Sequence, residues 1–196
     1  MMMTTDGEVL TGLHFFDSRK VAKGSRDCAE RELPVFRETR RWLDEYFDGR
    51  EPDFTPAYRI DGLSSFRNDV IRAMLAIPFG ETATYGDIAA AIAKKRGQKK
   101  MSAQAVGGAV GWNPICIIIP CHRVIGANGA LVGYGGGIKN KIALLAHEAA
   151  ANITRSSPAS ARWTRRARTS SGHDAGNFWY NIGQRENNTS TSRHRK

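Results

Sequence analysis

The stretch NPICIIIPCHRVIG, from Asn113 to Gly126, constrains the fold of this chain more than any other. Its isoleucine run predicts a short buried strand, because β-branched residues pack well on a pleated surface. Pro120 ends the run, and a thiol, an imidazole and a guanidinium follow it. Adjacent residues of a regular strand point to opposite faces, so Cys121 and His122 can act together only if the strand breaks at Pro120 or a water relays the proton.

Length and composition set broad limits on the protein. A chain of 196 residues with 41% hydrophobic residues can form one ordinary domain or two small ones. No apolar run approaches the length of a membrane span, and the start MMMTTDGEVL lacks the features of a signal peptide. Three cysteines without framework spacing predict free thiols in a reducing compartment, which we take to be the cytoplasm.

The net charge of +10 is unevenly distributed along the chain. Residues 1–56 carry 9 basic against 12 acidic side chains, residues 57–148 carry 11 against 5, and residues 149–196 carry 9 against 2. A basic centre and tail are typical of a protein that binds a polyanion, with nucleic acid as the first candidate. A solvated basic surface without a partner explains the same numbers, so charge alone does not decide between them.

The first part of the chain predicts a short α/β domain. The stretch EVLTGLHFFD (8–17) is rich in β-formers and indicates a strand. An amphipathic helix follows, with Pro34 in its first turn and Gly49 as its stop. Residues 50–62 contain two prolines and no hydrophobic period, so we place a domain boundary there.

The central part predicts a mainly helical domain. A helix is expected over 64–77, a second helix begins with a capping box at Thr84 and Asp87, and a third can begin at Ser102. The last two resemble a helix-turn-helix with a long basic loop, and a glycine loop leads into a final helix. The predicted class is α+β, with a short, apparently truncated α/β domain (1–56), a winged-helix-like domain (57–150) and a basic disordered tail (151–196).

Cys121 and His122 have the chemistry of an activated nucleophile. A thiol near pKa 8.5 needs a base or a positive field, and His122 and Arg123 can supply them. Glu148 is the only acidic residue in 88–148 and is the candidate that orients the imidazole. The alternative is a buried structural thiol beside a surface histidine. A zinc site is less favoured, because Cys116, Cys121 and His122 lack a CxxC pair and an evident fourth ligand.

The residues of two glycine-rich stretches do not decide the role of either stretch. GYGGG (133–137) fits a phosphate cradle, a flexible loop or a backbone that approaches a flat ligand. SAQAVGGAV (102–110) predicts a helix faced with small side chains, suited either to a close approach to another surface or to tight helix packing.

Three stretches of this chain together resemble the O6-alkylguanine-DNA alkyltransferases. They are IPFGETATYGDIA, AVGGAVGWNPICIIIPCHRVIG and GYGGGIKNKIALLAHE, and they occur in family order and spacing within 33–148. The resemblance implies transfer of an alkyl group from O6 of guanine in DNA, with O4 of thymine as a further possibility, to a cysteine that is consumed. No metal and no organic cofactor are implied, and double-stranded DNA bound by a monomer through the minor groove is the expected partner.

The resemblance assigns a role to residues in each of the three stretches. Cys121 would accept the alkyl group, His122 would deprotonate it through a water, and Glu148 would orient His122. Tyr85 would donate a proton to the leaving base, and Asn113 would buttress the active-site turn. The expected DNA- and base-binding group comprises Gln104, Ala103, Ala105, Gly108, Arg123 (which would anchor the turn), Tyr134, Gly135, Gly136, Lys99 and Lys100. Lys94, Lys95 and Arg96 would add phosphate contacts.

The chain departs from the family pattern at two places, and two other functions remain as alternatives. Gln104 stands where much of the family has an arginine that fills the gap left by the flipped base. The N-terminal domain is short for the family. The first alternative is a lesion-binding module without chemistry, against which Cys121 argues. The second is a cysteine hydrolase, for which we find no oxyanion motif.

Overall fold

A computed structural model describes residues 1–16, 18, 21 and 31–155. The chain starts with two antiparallel strands, β1 (Met2–Thr5) and β2 (Leu10–His14). The Asp6 carboxylate accepts hydrogen bonds from the backbone N–H groups of Glu8 and Val9, which closes the turn between them. The strand predicted within 8–17 is therefore confirmed, and β1 is an additional strand.

Helix α1 (Pro34–Phe47) forms as its pattern predicts. Pro34 lies in the first turn, where its missing N–H costs no helical hydrogen bond. The helix buries one stripe, which consists of Val35, Thr39, Trp42, Leu43 and Tyr46. Gly49 follows the helix with a φ of 77°, a conformation that glycine adopts without strain.

The central helices begin where their capping residues predict. Helix α2 (Ser65–Leu75) is capped by Ser64, and helix α3 (Tyr85–Lys95) has the full capping box of Thr84 and Asp87. Helix α4 (Ala103–Trp112) is capped by Ser102. Helices α3 and α4 pack against each other across the basic loop. The predicted helix pair and its caps are confirmed.

The predicted strand over the isoleucine run is wrong. Residues 114–120 form turns and isolated bridges, and Ile117 has a φ of +70°. The segment folds around the Asn113 side chain, which bonds the backbone of Ile115 and Ile119 in place of a neighbouring strand. The chain then turns after Pro120 into a single 3₁₀ turn, Cys121–Arg123. A break at Pro120 was required for Cys121 and His122 to act together, and this turn provides it.

Two short strands connect the turn to the helix pair. Strand β3 (Ala83–Thr84) immediately precedes α3, and strand β4 (Val124–Ile125) follows the 3₁₀ turn. They pair in parallel, Ala83 with Val124 and Thr84 with Ile125. This pairing fixes the start of α3 beside the turn that carries Cys121.

Helix α5 (Ile138–Arg155) follows the glycine loop. It extends past the predicted domain end at 150, so residues 151–155 are helical rather than part of a tail, and Ala151 is buried. The remainder of the predicted disordered tail, 156–196, lies outside the described residues, as does Cys28. Within the described ranges, no helix is long and apolar enough to cross a membrane.

Strand β2 joins the two halves of the chain. Leu10 exchanges backbone hydrogen bonds with Ala57 and Arg59, and Leu13 bonds to Pro114 and Cys116. One continuous hydrophobic cluster includes β2, α1, α2 and the isoleucine segment. The domain boundary between residues 56 and 57 stays a prediction. Residues 57–59, which follow it, pair with β2.

Candidate active site

Asn113 holds the turn that carries Cys121. It is 3% exposed, and its Nδ2 donates to Cys121 Sγ at 3.0 Å and to the Ile119 carbonyl at 2.9 Å. Its Oδ1 accepts from the Ile115 N–H at 3.0 Å. One amide side chain therefore fixes both the path of the isoleucine segment and the sulfur. A donor aimed at the sulfur also favours the thiolate over the thiol.

Glu148, from α5, is the centre of a buried hydrogen-bond cluster. Its Oε1 lies 2.8 Å from His122 Nε2 and 2.9 Å from Arg123 Nη2. Its Oε2 accepts from Arg123 Nε at 3.0 Å and from the Gly80 N–H at 2.8 Å. Glu148 and His122 are each fully buried. A buried carboxylate with this many donors is held ionised and fixed in direction.

Burial and hydrogen bonding determine the protonation states of this cluster. Burial alone would raise the pKa of Glu148, but hydrogen bonds from His122 and Arg123 outweigh it and hold that pKa at about 2. Burial lowers the pKa of His122, against the opposing effect of Glu148. The imidazole is therefore neutral at pH 7. Since the Nε2–H group of His122 donates a hydrogen bond to the Glu148 carboxylate, Nδ1 is the nitrogen that can accept a proton.

His122 Nδ1 is buried, and among the described residues it has no hydrogen-bond partner. Cys121 is the preceding residue in the same 3₁₀ turn and is 4% exposed. A neutral imidazole with a lone pair facing the interior can accept a proton from a neighbouring thiol through one water. The sequence prediction that His122 lies between Cys121 and Glu148 agrees with this arrangement.

Two adjoining cavities lie at the glycine loop, and Cys121 lines the smaller of them. The larger, of about 670 Å³, is lined by Tyr85 and Gln104 on one side and by Tyr134 and Gly135 on the other. The smaller, of about 10 Å³, holds roughly one water and is lined by Cys121, Cys116 and Gly136. The two share Val110, Gly111 and Gly135 as lining residues. The small cavity that contains Cys121 therefore adjoins the larger one at these three residues.

The glycine loop packs tightly against the N-terminal half. A Cβ at Gly136 would lie 2.6 Å from the Phe15 ring and 2.7 Å from the Tyr134 ring. Only glycine fits there without moving an aromatic ring. Burial, followed by the nearby Cys121, raises the pKa of both Tyr85 and Tyr134, so both hydroxyls keep their protons at neutral pH.

The small-residue face of α4 is open to solvent. Ala103, Gln104, Ala105 and Gly108 are exposed, and Gln104 lies at the mouth of the larger cavity. Lys94, Lys99 and Lys100 line a neighbouring groove of about 1090 Å³. Lys95 and Arg96 differ from these lysines, because both pair with Asp69 of α2, at 2.6 and 2.7 Å. Their cations brace α3 against α2 instead of projecting freely from the loop.

Arg123 was grouped with the DNA- and base-binding residues, but it does not face solvent. It is 8% exposed, and its guanidinium bonds to Glu148 and to the Ile77 carbonyl. The contact ties the 3₁₀ turn to the end of α2, which agrees with a structural anchor.

Known proteins share this arrangement of sequence and fold. Residues 65–150 match the family model for the DNA binding domain of 6-O-methylguanine DNA methyltransferase. The chain is 41% identical over 145 residues to the methylated-DNA–protein-cysteine methyltransferase of Mycobacterium leprae, covering 74% of this chain and 83% of that protein. The chain belongs to the methylated-DNA–protein-cysteine methyltransferase family.

Two further relatives of this methyltransferase agree. The Haemophilus influenzae methyltransferase is 36% identical over 145 residues, covering 74% of this chain and 78% of that protein. The crystal structure of Mycobacterium tuberculosis OGT in complex with DNA matches with a TM-score of 0.62 at 40% identity, covering 76% of this chain and 86% of that chain. The α+β class is confirmed, and the family favours a transferase over the hydrolase alternative.

Sequence reasoning missed two buried polar residues beside the site of this methyltransferase. Tyr46 donates to Glu148 Oε1 at 2.8 Å, yet its place in the α1 stripe suggested only core packing. Lys141 is fully buried and donates to the Val124 carbonyl at 2.6 Å and the Val132 carbonyl at 3.2 Å. Lys141 thereby ties β4 to the glycine loop. A lysine in the first turn of a helix gave no signal of burial.

Stability in acid tests the electrostatics of the cluster. The pKa of Glu148 in the folded protein, about 2, lies below its ordinary value of 4.5, so its contribution is complete above pH 4.5 and is lost as the pH falls toward 2. We expect the wild type to lose about 2 to 3 kcal/mol more than Glu148→Gln between pH 5 and pH 2. Urea denaturation of both proteins across this range measures the difference. Parallel curves would contradict the assigned ionisation.

Proposed function

We propose that this methyltransferase repairs DNA by transferring a methyl group from O6 of guanine to Cys121 in a single, irreversible turnover. The observation that carries the proposal is a thiol next to a neutral histidine that is itself bonded to a buried carboxylate, at the base of a cavity that opens beside the exposed face of α4. The reaction needs a strong nucleophile, a proton acceptor and a donor for the leaving base, and each of these groups is present.

The first proton moves from Cys121 to His122 Nδ1 through a water. The resulting thiolate is stabilised by the Asn113 amide, which lies 3.0 Å from the sulfur. The imidazolium is stabilised by Glu148, 2.8 Å from Nε2. Burial keeps His122 neutral before the reaction, so the imidazolium forms only as the thiol ionises. Sulfur then attacks the methyl carbon in line with the bond to O6.

Breaking the bond between the methyl carbon and O6 leaves electrons on the guanine ring. Tyr85 donates its proton toward N3, so that the base departs neutral. Tyr134, Gly135 and Gly136 hold the ring at the wall of the cavity, where glycine allows the backbone to approach a flat base. The product is a thioether, which has no easy route back to the thiol. The protein is therefore consumed.

Helix α4 approaches DNA through the minor groove in this proposal. Ala103, Ala105 and Gly108 give it a face small enough for close approach, and these residues are exposed. The lesion lies inside the base stack, so the nucleotide is flipped out at a cost of a few kcal/mol. Gln104 fills the gap that the base leaves. The M. tuberculosis relative was solved with DNA, which supports this partner, and we propose that the protein acts as a monomer.

Counting turnovers tests the proposed function. A duplex with one O6-methylguanine is added in repeated portions, and the repaired base is counted by chromatography. We expect one repaired guanine for each protein molecule and none after that. Continued release of methyl groups would indicate a hydrolase, and tight binding without repair would indicate a lesion-binding protein.

Gln104→Arg is expected to tighten DNA binding. An arginine at this position adds a cation at the mouth of the cavity, and we expect about three- to tenfold tighter binding of lesion duplex, roughly 1 kcal/mol. Gln98→Arg adds the same charge to the basic loop and serves as the matched control. Gel shifts with lesion and undamaged duplex measure both variants. Equal gains for the two would show that charge, not position 104, explains the change.

Salt dependence tests whether the lysines of the basic loop contact DNA phosphates. Lys99→Ala and Lys100→Ala should each reduce the slope of log affinity against log salt by about 0.9 on duplex DNA, because each removes one phosphate contact. Arg37→Ala removes an exposed cation of α1, outside the loop, and should leave the slope unchanged. Fluorescence anisotropy over a range of salt concentrations measures the slopes. Unchanged slopes for both lysine variants would remove the loop from the interface.

A further inference from the structure

Tyr46 places a hydroxyl from the N-terminal half inside the catalytic cluster. It is fully buried, and its Oη lies 2.8 Å from Glu148 Oε1 and 3.4 Å from His122 Nε2. Tyr46 is 102 residues from Glu148 in sequence. The hydroxyl therefore contacts the same carboxylate oxygen as the imidazole of His122.

The direction of the hydrogen bond follows from the protonation states. An ionised carboxylate only accepts hydrogen bonds, so the Tyr46 hydroxyl donates to Glu148 Oε1. Burial first, and the charge of Glu148 second, raise the pKa of Tyr46 far above its ordinary value. Tyr46 thus keeps its proton at neutral pH. It is a fixed donor.

The Tyr46 ring is held from several directions. Trp42 stacks on it with ring centroids 5.5 Å apart, and Phe79 packs edge-on at 5.8 Å. His147 Nε2 lies 2.8 Å from the Tyr46 carbonyl oxygen, which ties α5 to α1 at this residue. A ring fixed in this way leaves the hydroxyl little freedom, so its hydrogen bond to Glu148 is geometrically well defined.

We propose that Tyr46 is a positioning residue of the proton relay: its hydroxyl shares Glu148 Oε1 with His122 and thereby sets how strongly the carboxylate attracts the imidazole proton. Arg123 also donates to this oxygen, at 2.9 Å. Each donor withdraws charge from Oε1, and removing one leaves more for the others. Without the hydroxyl, Glu148 stabilises the imidazolium more strongly and His122 gains a proton at higher pH.

Other charged and titratable groups face this cluster and remain in place when the hydroxyl is removed. Among the described residues, those that act on His122, Tyr46 or their neighbours come from the 3₁₀ turn, the glycine loop and α5, and they are Cys121, Arg123, Tyr134, Lys141, His147 and Glu148. The difference between a protein with and without the Tyr46 hydroxyl therefore isolates the contribution of that hydroxyl.

The test compares wild type with Tyr46→Phe, using Tyr58→Phe as the control. Tyr58 is another partly buried tyrosine, on the segment that pairs with Leu10 of β2. NMR titration of His122 is the primary readout, and the acid limb of the single-turnover rate is the second. We expect both midpoints to move upward by about half a unit to one unit in Tyr46→Phe and to stay unchanged in Tyr58→Phe. Unchanged midpoints in Tyr46→Phe would overturn the proposal, since a purely structural role reduces the active fraction at every pH.

A second modification guards against a folding defect. Replacing Tyr46 with 3-fluorotyrosine keeps the shape but makes the hydroxyl a stronger donor, so the His122 midpoint should move downward. An upward or absent shift would overturn the proposal. The role of Tyr46 rests on the proposed function, but the NMR midpoint does not depend on DNA. A wild type that transfers no methyl group would refute the proposed function, while the titration would still decide the role of Tyr46.

Discussion

Cys121→Ala should abolish methyl transfer completely. Alanine has no nucleophile to replace the thiol that the Asn113 amide contacts and that His122 follows in the 3₁₀ turn. Binding to lesion duplex should persist, because the exposed residues of α4 and the lysines of the basic loop are unchanged. A single-turnover assay with a radiolabelled methyl group, together with a gel shift, measures both properties.

Cys116→Ala is the matched control for this loss. Cys116 is a buried thiol that lines the same small cavity, 5% exposed, and it contributes packing. Its replacement by alanine should leave transfer stoichiometric, with a loss of stability of about 1 kcal/mol from the smaller side chain. Transfer that survives in Cys121→Ala but fails in Cys116→Ala would show that Cys116, and not Cys121, is the acceptor.

Glu148→Gln should have the second largest effect. Glutamine keeps the shape of the side chain but removes the charge that pairs with Arg123 and with the imidazolium of His122. Removing one partner of a buried ion pair lowers the free energy of unfolding by about 3 to 5 kcal/mol. Loss of the group that supports the general base should slow transfer by about 10²- to 10⁴-fold. Urea denaturation and single-turnover kinetics, corrected for the folded fraction, measure the two effects.

The control for Glu148→Gln is Asp61→Asn. Asp61 is an exposed carboxylate whose partner is Arg59, so the same change of acid to amide should alter stability by less than about 0.5 kcal/mol and leave transfer unchanged. A Glu148→Gln protein that transfers methyl groups at the wild-type rate would show that the carboxylate does not support the histidine.

The elements predicted best from the sequence are those set by local signals. The capping box at Thr84 and Asp87, Ser102 before α4 and Pro34 in the first turn of α1 each act within a few residues, and all three helices begin there. The pairing of His122 with Glu148 was predictable for another reason. Glu148 is the only acidic residue in the basic segment 88–148, so it was the one carboxylate there that could pair with the His122 imidazole.

The isoleucine segment was predicted wrongly because its conformation depends on distant and side-chain contacts. β-branched composition favours a strand, but the Asn113 amide occupies the backbone groups that a neighbouring strand would bond. Leu13, 102 positions from Ile115, forms the only bridge that crosses from the N-terminal half to this segment in the described ranges. No local pattern records either contact. Tyr46 was missed for the same reason, since its polar partner is in the last helix.

The most direct test of the central claim is the mass of the intact protein after mixing with a duplex that contains one O6-methylguanine. We expect every molecule to gain the mass of one CH₂ unit, because the methyl group replaces the hydrogen of the thiol. No lysine or arginine lies between Lys100 and Arg123, so trypsin leaves Cys116 and Cys121 in one peptide, and backbone fragmentation must separate them. The methyl group should reside on Cys121. An unchanged mass, or a methyl group on Cys116, would contradict the account.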